Sequence, residues 1–260
     1  MTWNLGWMLS AALVGCAGDT GGARGTFSAV ARSALAPDEA RWEDDGWSVE
    51  LTEAACAVGP IYLWSGASRL QGGVANDFEH GFLRGEVTEQ AAVDLLAHDM
   101  LAGDEVAVGE GRAIAGEARS AELWLAPPEG AAADALDGAG FRVAGIAQTA
   151  GGEPLRFAGT LTLDDALFTD PSTTATEQRK VRGIPLMADD GGVAVLADGG
   201  TLLVEVDPRA WLEGADWSSL EALPADAEGV RHLVLGGSIH ATWLRGVRQA
   251  EGPWSVTWRP

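Results

Sequence analysis

Residues 47–64 read Trp-Ser-Val-Glu-Leu-Thr-Glu-Ala-Ala-Cys-Ala-Val-Gly-Pro-Ile-Tyr-Leu-Trp, and they carry the clearest structural pattern in the chain. Trp47, Val49 and Leu51 alternate with polar residues, which is the period of a strand with one buried face. An apolar run follows, and Gly59–Pro60 separates it from a second run at residues 61–64. The pattern therefore predicts two consecutive strands.

The same kind of pattern recurs along the chain, with glycine-rich turns between the segments. Asp198-Gly199-Gly200 predicts a hairpin between strands 193–196 and 202–206, and Gly236-Gly237 predicts a second hairpin between 233–235 and 239–244. Only residues 88–98 have clear helical spacing. With 35 glycines and 11 tryptophans, the chain is predicted to be all-β, a β-sandwich or Greek-key-like barrel with one or two short helices.

The amino terminus has the pattern of an export signal. Residues 5–14 form an apolar run too short to span a bilayer, which needs about 20 residues, but long enough for a signal-peptide core. Leu13-Val14-Gly15-Cys16 resembles the lipobox of bacterial lipoproteins. The resemblance implies cleavage before Cys16, a diacylglyceryl group on its thiol and, because Ala17 follows, the outer membrane of the bacterial envelope.

These observations predict the organisation of the chain. Residues 1–15 are predicted to be a signal peptide, and residues 16–41 the lipidated cysteine with a flexible tether. Residues 42–260 are predicted to form a single β-rich domain. In its loose motifs, the Gly59-Pro60-Ile61-Tyr62 segment, residues 206–211 and Trp258, the domain resembles lipoproteins of predatory and gliding soil bacteria. That resemblance implies no activity.

The net charge of −21 limits the possible partners. Such an acidic surface repels phosphate backbones and anionic lipid, so neither nucleic acid nor electrostatic membrane docking is expected. The expected membrane contact is the lipid anchor alone. A protein or glycan partner stays open.

A metal site is the sharpest chemical hypothesis. Asp94 and His98 lie four residues apart, on one face of the predicted helix, and His80 lies in the preceding loop. Imidazole and carboxylate ligands suit zinc or copper. The sequence therefore indicates His80, Asp94 and His98 as candidate ligands.

Other chemistry finds little support in the sequence. No Gly-x-Ser-x-Gly motif is present, Lys180 is the only lysine, and the acidic turns lack the alternating calcium-loop pattern. With Cys16 lipidated, Cys56 is predicted to be a small buried hydrophobic residue. The expected function is a lipid-anchored, non-enzymatic binding or structural module without catalytic residues or cofactor. A metal-binding protein is the first alternative and a hydrolase the second.

Overall fold

The computed structural model describes residues 22–66, 81–164, 168 and 174–260. They form sixteen strands and a few short helices, which confirms the predicted all-β class. Eight strands close a barrel. In order around it they are β1 (Arg24–Ser33), β14 (Thr201–Val206), β16 (Trp254–Arg259), β12 (Lys180–Ala188), β9 (Ser120–Trp124), β4 (Ile61–Trp64), β5 (Leu83–Val87) and β7 (Val106–Ile114).

The interior of the barrel is packed with apolar side chains. Phe27 on β1 contacts Trp258 on β16 edge to face, with ring centroids 5.4 Å apart. Two glycines make room for these rings. A Cβ atom at Gly111 would lie 2.1 Å from the Phe27 ring, and one at Gly200 would lie 2.1 Å from the Trp258 ring. Any larger residue at either position would therefore displace the core.

A second sheet packs against the barrel. Its strands are, in order, β15 (Val230–His232), β11 (Leu155–Leu161), β10 (Phe141–Thr149), β3 (Trp47–Val58) and β2 (Arg41–Asp44), with β6 (Ala91–Asp94) also paired to β3. Phe141 of this sheet contacts Trp254 of the barrel at 6.3 Å and Trp211 at 5.3 Å. The sheet and the barrel therefore share one hydrophobic core.

The remaining elements are short. β8 (Gly116–Ala118) pairs with β13 (Ala194–Leu196). The α-helices are α1 (His98–Leu101), α2 (Gly130–Ala135), α3 (Ala175–Gln178) and α4 (Ser238–Val247), and Trp217–Ala222 forms a 3₁₀ helix. No helix in the described residues combines the length and the apolar character needed to cross a membrane.

Both strands predicted within residues 47–64 are confirmed, as β3 and β4. The two predicted hairpins are wrong. β13 pairs with β8, whereas β14 lies between β1 and β16. Residues 238–247 form helix α4, because Ile239, Trp243 and Val247 recur every four residues and are all buried.

The predicted helix over residues 88–98 is also wrong. Ala91–Asp94 is strand β6, which pairs antiparallel with the end of β3 from Ala55 to Val58. Helix α1 begins only at His98. The unpaired edge of β3 supplies hydrogen-bond partners that outweigh the weak helical preference of this alanine-rich segment.

The predicted boundary between tether and domain needs correction as well. Residues 24–33 form β1, which pairs with β7 on one side and β14 on the other, and residues 41–44 form β2. Phe27, Ala29 and Ala31 are buried. Residues 24–41 are therefore part of the fold and not a tether. Small residues on the buried face weakened the apolar signal of β1. Cys16 and the predicted signal peptide lie outside the described residues.

Candidate functional site

A cleft lies on the outer face of β1, β7 and β5. Residues paired across neighbouring strands point to the same face of a sheet. Thr26 pairs with Arg112, and Arg112 pairs with Glu86. Ala113, the next residue of β7, is buried and points to the inner face. The cleft has a volume of about 530 Å³, and we call it the arginine cleft; it is lined by Arg24, Gly25, Thr26, Leu83, Arg84, Gly85, Glu86, Arg112, Ala113, Ile114 and Asp198.

A β-bulge places Arg84 in this cleft. On β4, Leu63 pairs with Gly85 and the next residue, Trp64, pairs with Leu83, so Arg84 is the extra residue of the pair. A bulge lets adjacent residues of one strand turn toward the same side, and Leu83 and Arg84 both line the cleft.

The Arg84 guanidinium lies near the chain at Gly116. Gly116 has φ = +139°, a conformation that favours glycine, and an ideal Cβ atom there would lie 3.5 Å from Arg84 Cζ, an ordinary van der Waals distance.

Among the described residues, the three arginines of the cleft have no carboxylate partner. No ion pair within 4.0 Å and no hydrogen bond there involves the side chains of Arg24, Arg84 or Arg112. Arg84 Nε is buried and has no hydrogen-bond partner there. Other arginines of the chain do pair with carboxylates, namely Arg32, Arg119, Arg142, Arg182, Arg209 and Arg259.

Two carboxylates also line the cleft, so its charge is nearly balanced. Asp198 Oδ1 accepts a hydrogen bond from the Thr26 backbone N–H at 2.8 Å, which holds the turn before β14 against β1. Glu86 on β5 pairs across the strands with Arg112 on β7. Three guanidinium groups against two carboxylates leave one positive charge in excess, in a chain whose net charge is −21.

A second cleft, of about 380 Å³, continues along the same face. It shares Glu86 and Arg112 with the arginine cleft and adds Thr88, Glu89 and Glu110. The charge therefore changes sign along the strands, from the arginines at one end to the glutamates at the other.

The predicted metal ligands do not form a site within the described residues. Asp94 ends β6, and its Oδ1 accepts a hydrogen bond from the Leu96 N–H at 3.1 Å. His98 begins α1 with its side chain 96% exposed. The prediction that Asp94 and His98 share one helical face is wrong, because the two residues belong to different elements.

His80 lies outside the described residues, so its role as a ligand stays a prediction, as does zinc or copper binding. In the ranges 22–66, 81–164, 168 and 174–260, no group of three or more histidine, cysteine, aspartate or glutamate residues is placed to hold a metal ion.

Three further titratable side chains, Cys56, His232 and His240, lie outside the arginine cleft. Cys56 is fully buried, as predicted, and burial raises the pKa of its thiol. His232 Nε2 lies 2.7 Å from Asp226 Oδ2. The Val230 backbone N–H, and then His232, lower the pKa of Asp226. His240 is buried in α4, and burial lowers its pKa.

An ionic cluster surrounds the buried Glu122 on the outer face of the barrel. Trp124 Nε1 donates to Glu122 Oε1 at 2.6 Å, and Arg182 Nε donates to Oε2 at 3.1 Å. Lys180 Nζ lies 4.8 Å from the centroid of the Trp124 ring and 2.7 Å from Glu177 Oε1. The carboxylates here all have partners, so this cluster has the character of a structural network, in contrast to the arginine cleft.

Sequence reasoning missed the arginine cleft because no local motif marks it. Its three arginines come from three separate strands, and only the pairing of β1 and β5 with β7 brings them together. Comparisons with protein-family models, curated proteins and solved structures find no match to this chain.

Proposed function

We propose that this protein is a non-catalytic binding module that takes a small anionic ligand into the arginine cleft. The observation that supports this is the set of arginines 24, 84 and 112, which lack carboxylate partners among the described residues. Among the described residues, the lining contains Thr26, Glu86 and Asp198 but no serine, cysteine, histidine or lysine. Asp198 accepts a hydrogen bond from the Thr26 N–H and Glu86 lies across from Arg112, and these engaged carboxylates favour binding over catalysis.

The chemistry of arginine supports an anionic ligand. A guanidinium group presents a planar fork of N–H donors that matches the two oxygens of a carboxylate, sulfate or phosphate group. An anion in the cleft would offset the repulsion between the three guanidinium groups.

The position of the cleft also fits the proposed lipid anchor. Arg24 is the first residue of β1 and one wall of the cleft. Eight residues at about 3.5 Å each reach at most about 28 Å, so an anchor at Cys16 would keep the cleft within that distance of the lipid. We therefore propose a module that binds its ligand close to the membrane surface.

The first prediction tests the arginines directly. Hexanoate, hexyl sulfate and hexyl phosphate are titrated by calorimetry into the soluble domain and into its Arg84→Gln and Arg112→Gln variants. At least one of the three probes should bind, and each substitution should weaken it about tenfold or more, because a hydrogen bond to a charged group contributes about 1.5–3 kcal/mol.

Arg119→Gln is the matched control. Arg119 is 48% exposed, pairs with Glu117 and does not line the cleft, so its loss should leave binding unchanged. If none of the probes binds, or if Arg119→Gln weakens binding as much as Arg84→Gln does, the cleft is not an anion site. Thermal unfolding of each variant checks that the fold is intact.

A further inference from the structure

We infer that the ligand of the arginine cleft is a monoanionic amphiphile, a single charged head group on an apolar body, of which a medium-chain fatty acid is the simplest example. This inference rests on the proposed function and narrows it. It excludes polyanions and inorganic anions as the preferred ligand.

The charge balance of the lining limits the ligand to one negative charge. Glu86 and Asp198 face the same cleft as the three arginines, which leaves one positive charge in excess. One anionic group neutralises the site. A second anionic group would meet these carboxylates or the glutamates of the adjoining cleft, Glu89 and Glu110, and would be repelled.

The apolar part of the lining then selects the body of the ligand. Ile114 pairs with Arg24 across β7 and β1, so the two side chains are cross-strand neighbours on the same face of the sheet. Leu83, next to Arg84 in the bulge, is 39% exposed. Phe82, which precedes it, is 77% exposed. Leu83 and Phe82 are two of the seven large hydrophobic side chains that are exposed in the described part of the chain, and Leu83 lines the cleft.

An inorganic anion would leave this apolar wall in water. A cleft of about 530 Å³ is also far larger than a sulfate or phosphate ion requires. An alkyl chain packed on Leu83 and Ile114 removes apolar surface from water on both sides, whereas its carboxylate stays within reach of the arginines. The two halves of the lining therefore match the two halves of an amphiphile.

A chain-length series tests the inference. Acetate, butyrate, hexanoate and octanoate are titrated into the protein below their micellar concentrations, and binding is followed by calorimetry and by NMR shifts. Each buried methylene contributes about 0.8 kcal/mol, so affinity should rise up to about fourfold per methylene until the cleft is filled. Suberate, with the same eight carbons as octanoate but two carboxylates, should bind at least about tenfold more weakly than octanoate.

Two substitutions separate the apolar wall from the charged groups. Leu83→Asn and Ile114→Thr should reduce the gain from acetate to octanoate and leave acetate binding unchanged. Val195→Thr is the control, because this side chain is 54% exposed and lies outside the cleft. It should change neither acetate binding nor the gain in affinity from acetate to octanoate.

The possible outcomes distinguish this inference from the proposed function. If acetate and octanoate bind equally well and both lose binding in Arg84→Gln, the ligand is not an amphiphile, although the proposed anion site stands. Tighter binding of suberate than of octanoate would lead to the same conclusion. If no member of the series binds, and the hexyl sulfate and phosphate probes also fail, both proposals fall.

Discussion

At the scale of single residues, Glu122 is a buried carboxylate whose two oxygens both have hydrogen-bond partners. Its side chain is 3% exposed, and its two oxygens accept hydrogen bonds from Trp124 and Arg182. Arg182 also pairs with Glu177, whose pKa is lowered first by the hydrogen bond from Lys180. Tyr62, the only tyrosine, lies against Trp124 at 5.4 Å, and its pKa is raised by burial and by Glu86 and Glu122.

Replacing Glu122 should therefore destabilise the fold. Glu122→Ala leaves the Trp124 N–H without its acceptor and Arg182 with one carboxylate fewer, and we expect a loss of about 2–4 kcal/mol in the free energy of unfolding. Glu122→Gln keeps an acceptor for Trp124 and should lose about half as much. Urea unfolding followed by tryptophan fluorescence measures both values.

Glu117→Ala is the control for this pair of variants. Glu117 also pairs with an arginine, Arg119 at 2.8 Å, but its side chain is 58% exposed. Exposed pairs contribute about 0–1 kcal/mol, so this substitution should be nearly neutral. If Glu122→Ala is equally neutral, the buried network does not stabilise the fold.

At the scale of elements, β1 shows why a weak pattern can still specify a central strand. Its buried face carries Phe27, Ala29, Ala31 and Ser33, and only one of these is large. Strand pairing over its whole length, to β7 and to β14, compensates for this small apolar area with backbone hydrogen bonds.

The corrected boundary predicts how far the chain can be shortened. A chain that starts at Gly22 should fold with the stability of the parent, because β1 is retained. A chain that starts at Trp42 should fail to fold cooperatively, since β7 and β14 lose their shared neighbour and the barrel opens. The expected loss is about 5 kcal/mol or more, comparable with the total stability of a typical domain.

Circular dichroism during heating distinguishes the two truncated chains. The shorter chain should show no cooperative transition, whereas the longer one should unfold within a few degrees of the parent. A cooperative transition in the chain that starts at Trp42 would show that residues 24–41 are not needed for the fold.

At the scale of the whole molecule, the distribution of charge matters more than its total. The net charge of −21 keeps the surface repulsive toward anions, yet three arginines collect on one outer face of the barrel. Fields of this kind are shaped by local arrangement, and a cleft with apolar walls concentrates them. An acidic protein can in this way present one selective site for an anion.

The last prediction concerns the membrane attachment of the protein. Mass spectrometry of the native protein should find a mature chain that begins at Cys16 and carries a diacylglyceryl group on its thiol. Cys16→Ala should release the protein from the membrane fraction, because an anchor of two or more acyl chains is needed for stable attachment. An unprocessed, unmodified amino terminus in native material would refute the anchor, and the arginine cleft would remain.

Local alternation in the sequence was enough to determine the all-β class, the strands around Gly59–Pro60 and the burial of Cys56. Period-two burial depends only on neighbours in the chain, so a single sequence displays it. Tertiary structure decided which strands β13 and β14 pair with, and it also decided the strand at Ala91–Asp94 and the helix at 238–247. Distant residues supply the free strand edges and the core space that these elements use. The arginine cleft belongs to this second group. Arg24, Arg84 and Arg112 become neighbours only when the barrel closes, since the register between β1, β7 and β5 sets which side chains share its outer face.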